Sequence, residues 1–205
     1  MPKEKITLVL ATRNSGKIKE IKALLADLPV EVKSVGDFPQ APEVEETGKT
    51  FFENAFKKAK EVAEATGELC LADDSGIEVD ALGGAPGVYS ARFAGEDATD
   101  EANIAKLLKE LEGIPPEKRS ARFKCVMVVY HPSGKWFKAE GVWEGQITEE
   151  PKGNLGFGYD PVFLVPELGK TAAELTLEEK NKLSHRGKAL AELKEKLKTF
   201  LCELS

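Results

Sequence analysis

Between Leu69 and Gly76 the chain reads LCLADDSG, a short apolar run that breaks on two adjacent acids. A run of this kind is the pattern of a strand covered on both faces, and such strands belong to sheets flanked by helices. A buried strand ending on carboxylates delivers them to the rim of the sheet, where open α/β sheets bind ligands. Asp73 and Asp74 would repel each other there unless a proton or cation intervened, so a hard metal ion is one reading of the pair. The other is a strand-to-turn junction in which Asp and Ser side chains cap backbone amides.

A second buried strand spans Lys5 to Ala11 (KITLVLA) and runs into the polar turn Thr12-Arg13-Asn14-Ser15-Gly16-Lys17. Ile18, Ile21, Leu24, Leu25 and Leu28 then recur at helical spacing until Pro29. Strand, turn and helix in that order leave backbone amides at a helix N-terminus with Lys17 beside them, which is an anion site in physical terms. It is no P-loop, because Ala11 and Ile18 stand where that motif needs Gly and Ser or Thr. Without a ligand, the same residues make an ordinary helix start with a solvated lysine.

Val30 to Val35 alternates as a further strand, and Gly36 to Gly48 is a loop carrying Glu43, Glu45 and Glu46. Thr50 caps a helix from Phe51 to Thr66, with Phe52, Ala55, Phe56, Ala59 and Ala63 as its apolar stripe. Asn54, Lys57 and Lys58 fall off that stripe. Ala81 to Ser90 is too rich in glycine for a regular element, and Asp97 or Thr99 caps the next helix. From Ser120 to Ile147 the period switches to two around the turn Pro132-Ser133-Gly134, as in a long hairpin without chemistry of its own.

In GNLGFGYDP, Phe157 is flanked by glycines, so little neighbouring bulk covers it and its ring is a candidate stacking platform. A core-plugging Phe among turn glycines is the competing reading. Thr176 and Glu179 form a capping-box pattern ahead of Lys180, and Ser184 precedes a final helix from His185 to Leu201. His185 and Arg186 occupy its first turn, where the helix dipole disfavours cations. That placement hints at a ligand, against a plain surface basic cluster.

Composition narrows the partners. A formal charge of −6 argues against duplex nucleic acid, though a single nucleotide needs only local positive charge. Cys70, Cys125 and Cys202 form no disulfide or metal-ligand spacing, which suits a reducing compartment. The start MPKEKITLVLA is too short in apolar residues for a secretory signal, and no run approaches bilayer length, so a cytoplasmic location is expected. Helices and strands alternate first and the hairpin follows, the order of an α/β protein with a mixed sheet.

Together these parts describe one ligand: a phosphate loop, a hard-metal acid pair, a stacking ring and a late basic cluster. The blocks LATRNSGKIKEI, EETGKTFFENAFKKA, LADDSGIEVDALGGAPGVYSARFAG, GFGYDPVF and EEKNKLSHRGKAL resemble the inosine/xanthosine triphosphate pyrophosphatases over almost the whole chain. Arg13 stands where many members of that family have Gly. The resemblance implies a single domain over residues 1–205, with an elongated mixed β-sheet flanked by helices in two lobes around a central cleft, usually a homodimer. It implies Mg2+-dependent hydrolysis of ITP, dITP and XTP at the α-phosphorus, giving monophosphate and pyrophosphate.

Residue by residue, the resemblance makes Thr12, Arg13, Asn14, Ser15, Gly16 and Lys17 the triphosphate loop, helped by Lys58 or its neighbourhood. Asp74 is the implied catalytic acid and, with Glu45 or alternatively Glu46, a Mg2+ ligand. Ser75 is a substrate contact. Phe157, Gly158, Tyr159 and Asp160 form the base loop, and Lys180, His185 and Arg186 read the base edge. A related pyrophosphatase for other bases and a non-enzymatic nucleotide sensor are the rival readings.

Overall fold

The structure is a computed structural model and describes residues 5–204. The first four residues, part of the N-terminal segment weighed above as a leader, lie outside the described residues. In chain order it contains β1 (Ile6–Leu10), α1 (Ser15–Leu25), β2 (Val30–Ser34), α2 (Phe51–Thr66), β3 (Leu69–Val79) and α3 (Asp100–Glu110). The rest is β4 (Ser120–Tyr130), β5 (Trp136–Ile147), β6 (Phe163–Val165), β7 (Lys170–Thr171), α4 (Leu177–Leu183) and α5 (His185–Leu204). The strands form one seven-stranded sheet in the order β2-β1-β3-β4-β5-β6-β7. β1 pairs in parallel with β2 and β3, whereas β6 pairs antiparallel with β5 and β7. The sheet is therefore mixed and the class α/β, as the alternation of periods implies.

The chain divides into two compact units. Among the described residues, unit 1 holds residues 5–74, 125–141 and 186–204, and its core joins Leu8, Leu10, Ile21, Leu71, Met127, Leu190, Leu193 and Leu197. Unit 2 holds residues 75–124 and 142–185, with Ile77, Leu107, Phe123, Trp143, Phe163 and Leu175 in its core. Among the described residues no helix is long and apolar enough to cross a membrane.

Three local expectations change. The strand does not stop at the acids, because β3 runs unbroken from Leu69 to Val79 with Asp73 and Asp74 inside it. Its pairing with β1 does end at Leu71, where Ala11 N–H adds a last bond to the Leu71 carbonyl. The acids thus lie just past the end of their neighbour rather than past the end of their own strand. Next, α1 begins at Ser15, so Ser15, Gly16 and Lys17 form its first turn. Finally, the glycine-rich stretch contains short 3-10 helices at Asp80–Leu82 and Gly87–Arg92.

Candidate active site

In unit 1 the Thr12–Lys17 segment links β1 to α1, and its polar side chains hold its own backbone. Asn14 caps the helix by accepting from Lys17 N–H at 3.0 Å, and Thr12 Oγ1 accepts from Asn14 N–H at 3.1 Å. Arg13, Asn14 and Ser15 are exposed, while Thr12, Gly16 and Lys17 are half-buried. The Lys17 ammonium lies 2.8 Å from Asp73 Oδ1. Burial works against its charge, yet the Asp73 carboxylate holds its pKa above the usual lysine value.

Asp73 gathers a buried ionic cluster. Cys125 donates its thiol proton to Asp73 Oδ2 at 3.2 Å, and Arg186 Nε and Nη2 each reach that oxygen at 3.4 Å. Arg186 Nη1 pairs with Glu20, itself 2 % exposed on α1. Burial alone would raise the Asp73 pKa, but Lys17, Arg186 and Lys58 pull it far below the usual carboxylate range. Asp73 is thus an ionised anchor. Arg186 is buried among α1, β3 and β4 residues.

Asp74, next along β3, faces the opposite way, as successive strand residues do. Asn54 Nδ2 donates to its Oδ2 at 3.1 Å, and Lys58 Nζ lies 3.9 Å from Oδ1. Lys58 also donates to the Asp73 carbonyl at 2.6 Å and to Glu46 Oε1 at 3.3 Å. Glu46 shares a hydrogen bond with the Asp74 carboxyl. Burial and then the Glu46 charge raise the Asp74 pKa to about 7, against the pull of Lys58. Glu46 goes the other way, held low by Lys58 against its burial. It is therefore Glu46 whose carboxyl meets Asp74; Glu45 is exposed, its carbonyl accepting from Lys57 Nζ at 2.9 Å.

These carboxyls fit a divalent cation by their chemistry. Two adjacent acids that retain a proton near neutrality form a donor set that a hard cation would relieve of repulsion. No group of three acidic, His or Cys side chains converges among the described residues. Two carboxylates suit a hard divalent cation that completes its shell with water and phosphate oxygens.

Asn54 and Lys58 are what residue patterning misplaces. Both are buried on α2, one turn apart, beside Ala55, Ala59 and Val62. Phe52 and Phe56, which draw the apolar stripe in sequence, are only half-buried and pack with Trp136 and Tyr130. The spacing Phe51, Ala55, Ala59, Val62 is the signal that would have turned Asn54 and Lys58 inward.

In unit 2, Ser75 is half-buried on β3. In the Phe157–Asp160 loop, Asp160 Oδ2 accepts from Phe157 N–H at 3.1 Å and from Lys180 Nζ at 2.6 Å. Lys180 Nζ also stands 4.7 Å from the Phe157 ring centroid, a cation–π distance. Gly158 N–H donates to Asp100 Oδ2 at 2.9 Å, and Tyr159 O–H donates to the Ser90 carbonyl at 2.6 Å. That last bond ties the Gly87–Arg92 helix to the loop within unit 2. His185 is 4 % exposed, its ring stacked on Phe123 at 4.7 Å and 14°. Lys180 thus joins the loop residues, while His185 joins an aromatic core.

Gly156 adopts φ +73°, and a Cβ there would collide with Asp160 Oδ2. Gly156→Ala is expected to cost the loop about 1–3 kcal/mol through left-handed backbone strain alone. Faster hydrogen exchange at the Phe157 amide would report it; unchanged protection would remove Asp160 as the loop's clasp.

Unit 1 thus carries a helix-start loop with a lysine and a carboxyl pair beside Lys58, unit 2 carries a clasped aromatic loop, and the chain has the mixed sheet of an α/β protein. The Ham1 family model matches residues 8–196, and the chain belongs to that family. It is 60% identical over 188 residues to the dITP/XTP pyrophosphatase of Desulforamulus reducens, covering 92% of this chain and 94% of that one. It is 58% identical to the dITP/XTP pyrophosphatase of Geobacter sulfurreducens, covering 93% of this chain and 96% of that one. Among solved structures, a HAM1 protein from Coxiella burnetii superposes with a TM-score of 0.86 at 46% identity, covering 95% of this chain and 99% of that one.

Proposed function

We propose that this protein hydrolyses deaminated purine nucleoside triphosphates, ITP, dITP and XTP, to monophosphate and pyrophosphate. The observation that carries the reading is the Asp74–Glu46 carboxyl pair set against Lys58. Relatives named dITP/XTP pyrophosphatase at 52–60% identity support the substrate class.

Asp74 and Glu46 would hold Mg2+, which supplies charge neutralisation for the triphosphate and lowers the barrier to ionising an attacking water. Asp74 orients that water and takes its proton as the oxygen bonds to the α-phosphorus and the bond to the bridging oxygen breaks. Lys58, with Lys17 and the amides of the first turn of α1, offsets charge on the departing pyrophosphate. Asp73 takes no part in the proton transfer, and keeps the Lys17 ammonium charged and in place.

For the base, Phe157 offers a stacking face and Lys180 a donor for a 6-oxo group. A 6-amino group would turn its own donors toward that ammonium in place of an acceptor, and sites built on such a hydrogen bond discriminate by ~10⁴-fold. His185 contributes through the aromatic stack that sets the start of α5. The resemblance adds a homodimer in the cytoplasm to this reading, with light scattering as the check on assembly.

One assay separates the alternatives: ITP, XTP, dUTP, GTP and ATP with Mg2+, with the phosphate product identified. Pyrophosphate from ITP and XTP, little from ATP, and loss of turnover on chelation reversed by Mg2+ are expected. Orthophosphate would mean attack at the terminal phosphorus, preference for dUTP a pyrimidine enzyme, and no turnover a nucleotide sensor.

A further inference from the structure

Asn54 is uncharged, polar and completely buried, so each end of its amide must find a partner or cost free energy. Both ends are bonded. Gly48 N–H donates to Asn54 Oδ1 at 2.7 Å, and Asn54 Nδ2 donates to Asp74 Oδ2 at 3.1 Å. A backbone N–H cannot accept, so Gly48 fixes which amide atom is oxygen, and the NH₂ group must face Asp74. The approach is close enough to require glycine: a Cβ at Gly48 would lie 2.6 Å from Asn54 Oδ1 and 2.7 Å from Glu53 Cβ. Lys57 fastens the same loop from outside, donating to the Glu45 carbonyl at 2.9 Å and reaching Thr47 Oγ1 at 3.4 Å. One side chain on α2 therefore ties the loop bearing Glu46 to one oxygen of Asp74.

We propose that Asn54 is a positioning residue for the carboxyl pair. By engaging Asp74 Oδ2 it turns Oδ1 toward Lys58, and by engaging Gly48 it keeps Glu46 within reach, so that the two acids present convergent oxygens to a divalent cation. The inference rests on the reading of Asp74 and Glu46 as the cation ligands. A helix supplies the rigidity that the loop lacks, and the glycine supplies the closeness. Removing the amide frees Asp74 to rotate and removes the tie between Gly48 and α2, leaving the loop to Lys57 and Lys58, two losses that act on the same ion.

The test uses Mn2+ binding to the nucleotide-free protein, followed by the electron paramagnetic resonance signal of free Mn2+, alongside ITP kinetics. In Asn54→Ser, Mn2+ affinity is expected to fall by ~10–100-fold, the range typical of residues supporting metal ligands. Turnover should fall over a similar range, with KM for ITP changed by less than about threefold because the loop residues for phosphate and base are untouched. A folded Asn54→Ser protein with wild-type Mn2+ affinity and kcat overturns the proposal. Should that variant not fold, Gly48→Ala carries the test, since it leaves Asn54 in place and forces the loop away; wild-type affinity there overturns it equally. Asp74→Asn distinguishes the levels. If it keeps both Mn2+ binding and turnover, the underlying reading of the ligands fails; if it loses both while Asn54→Ser keeps both, only the role of Asn54 fails.

Discussion

Asp74→Asn is expected to lower ITP turnover by ~10²-fold or more while leaving the fold intact, the scale of positioned acid–base catalysis. The substitution keeps the shape of the side chain and its acceptor oxygen for Asn54, but removes the charge and proton-accepting capacity. Stability supplies the control. A carboxyl whose pKa rises on folding, here to about 7 through burial and the neighbouring Glu46, is penalised whenever it must be charged. The folded state then binds more protons than the unfolded one between the free aspartate value of ~3.9 and neutrality, so this group's contribution falls as pH rises through that window. Asn carries no such penalty. In metal-free buffer at pH 8 the variant should therefore withstand urea at least as well as the wild type. Near-wild-type hydrolysis would remove Asp74 from the reaction; a lost fold would show that its role is structural.

Arg186→Ala should be the most destabilising single change in unit 1. The guanidinium is fully buried between Asp73 and Glu20, and its removal leaves two buried carboxylates short of their shared partner. Breaking a buried pair in this way typically costs about 3–5 kcal/mol, a large share of a domain's stability. Arg186→Lys should not rescue it, because a point-like ammonium cannot replace a fork that meets two acids at once. Urea denaturation with a fitted midpoint measures the effect. This experiment also decides between two roles. A stable Arg186→Ala protein that hydrolyses ATP as readily as ITP would make Arg186 a base-reading residue; a destabilised one whose residual activity keeps its preference would make it an anchor.

Much of this architecture follows from periodicity. The elements alternate as their apolar spacing requires, Thr50, Thr99 and Thr176 cap their helices, and Leu190, Leu193 and Leu197 form the inner face of α5. The site is harder to read because its key residues obey tertiary rather than local demands. Nothing in the order Asp73-Asp74 says which acid will meet Arg186, since that partner lies over a hundred positions away. Glu45 and Glu46 are equivalent in composition, and only the path of the loop against α2 separates them. Asn54 and Lys58 look like an exposed polar face until the partners that satisfy them are present.

That β3 passes straight through both acids has a consequence for how the site tolerates change. Side chains along a strand alternate with a period of two, so facing is a matter of parity. Asp73 has odd parity, and with it come Arg186, Lys17 and permanent ionisation; Asp74 has even parity, and with it come Asn54, Glu46 and the capacity to exchange a proton. Two chemically identical residues are told apart by parity alone. The stretch is thus exacting about its count as well as its composition: with Ala72 before the pair and Ser75 after it, one residue gained or lost upstream in β3 would leave only one of the two sites with an acid.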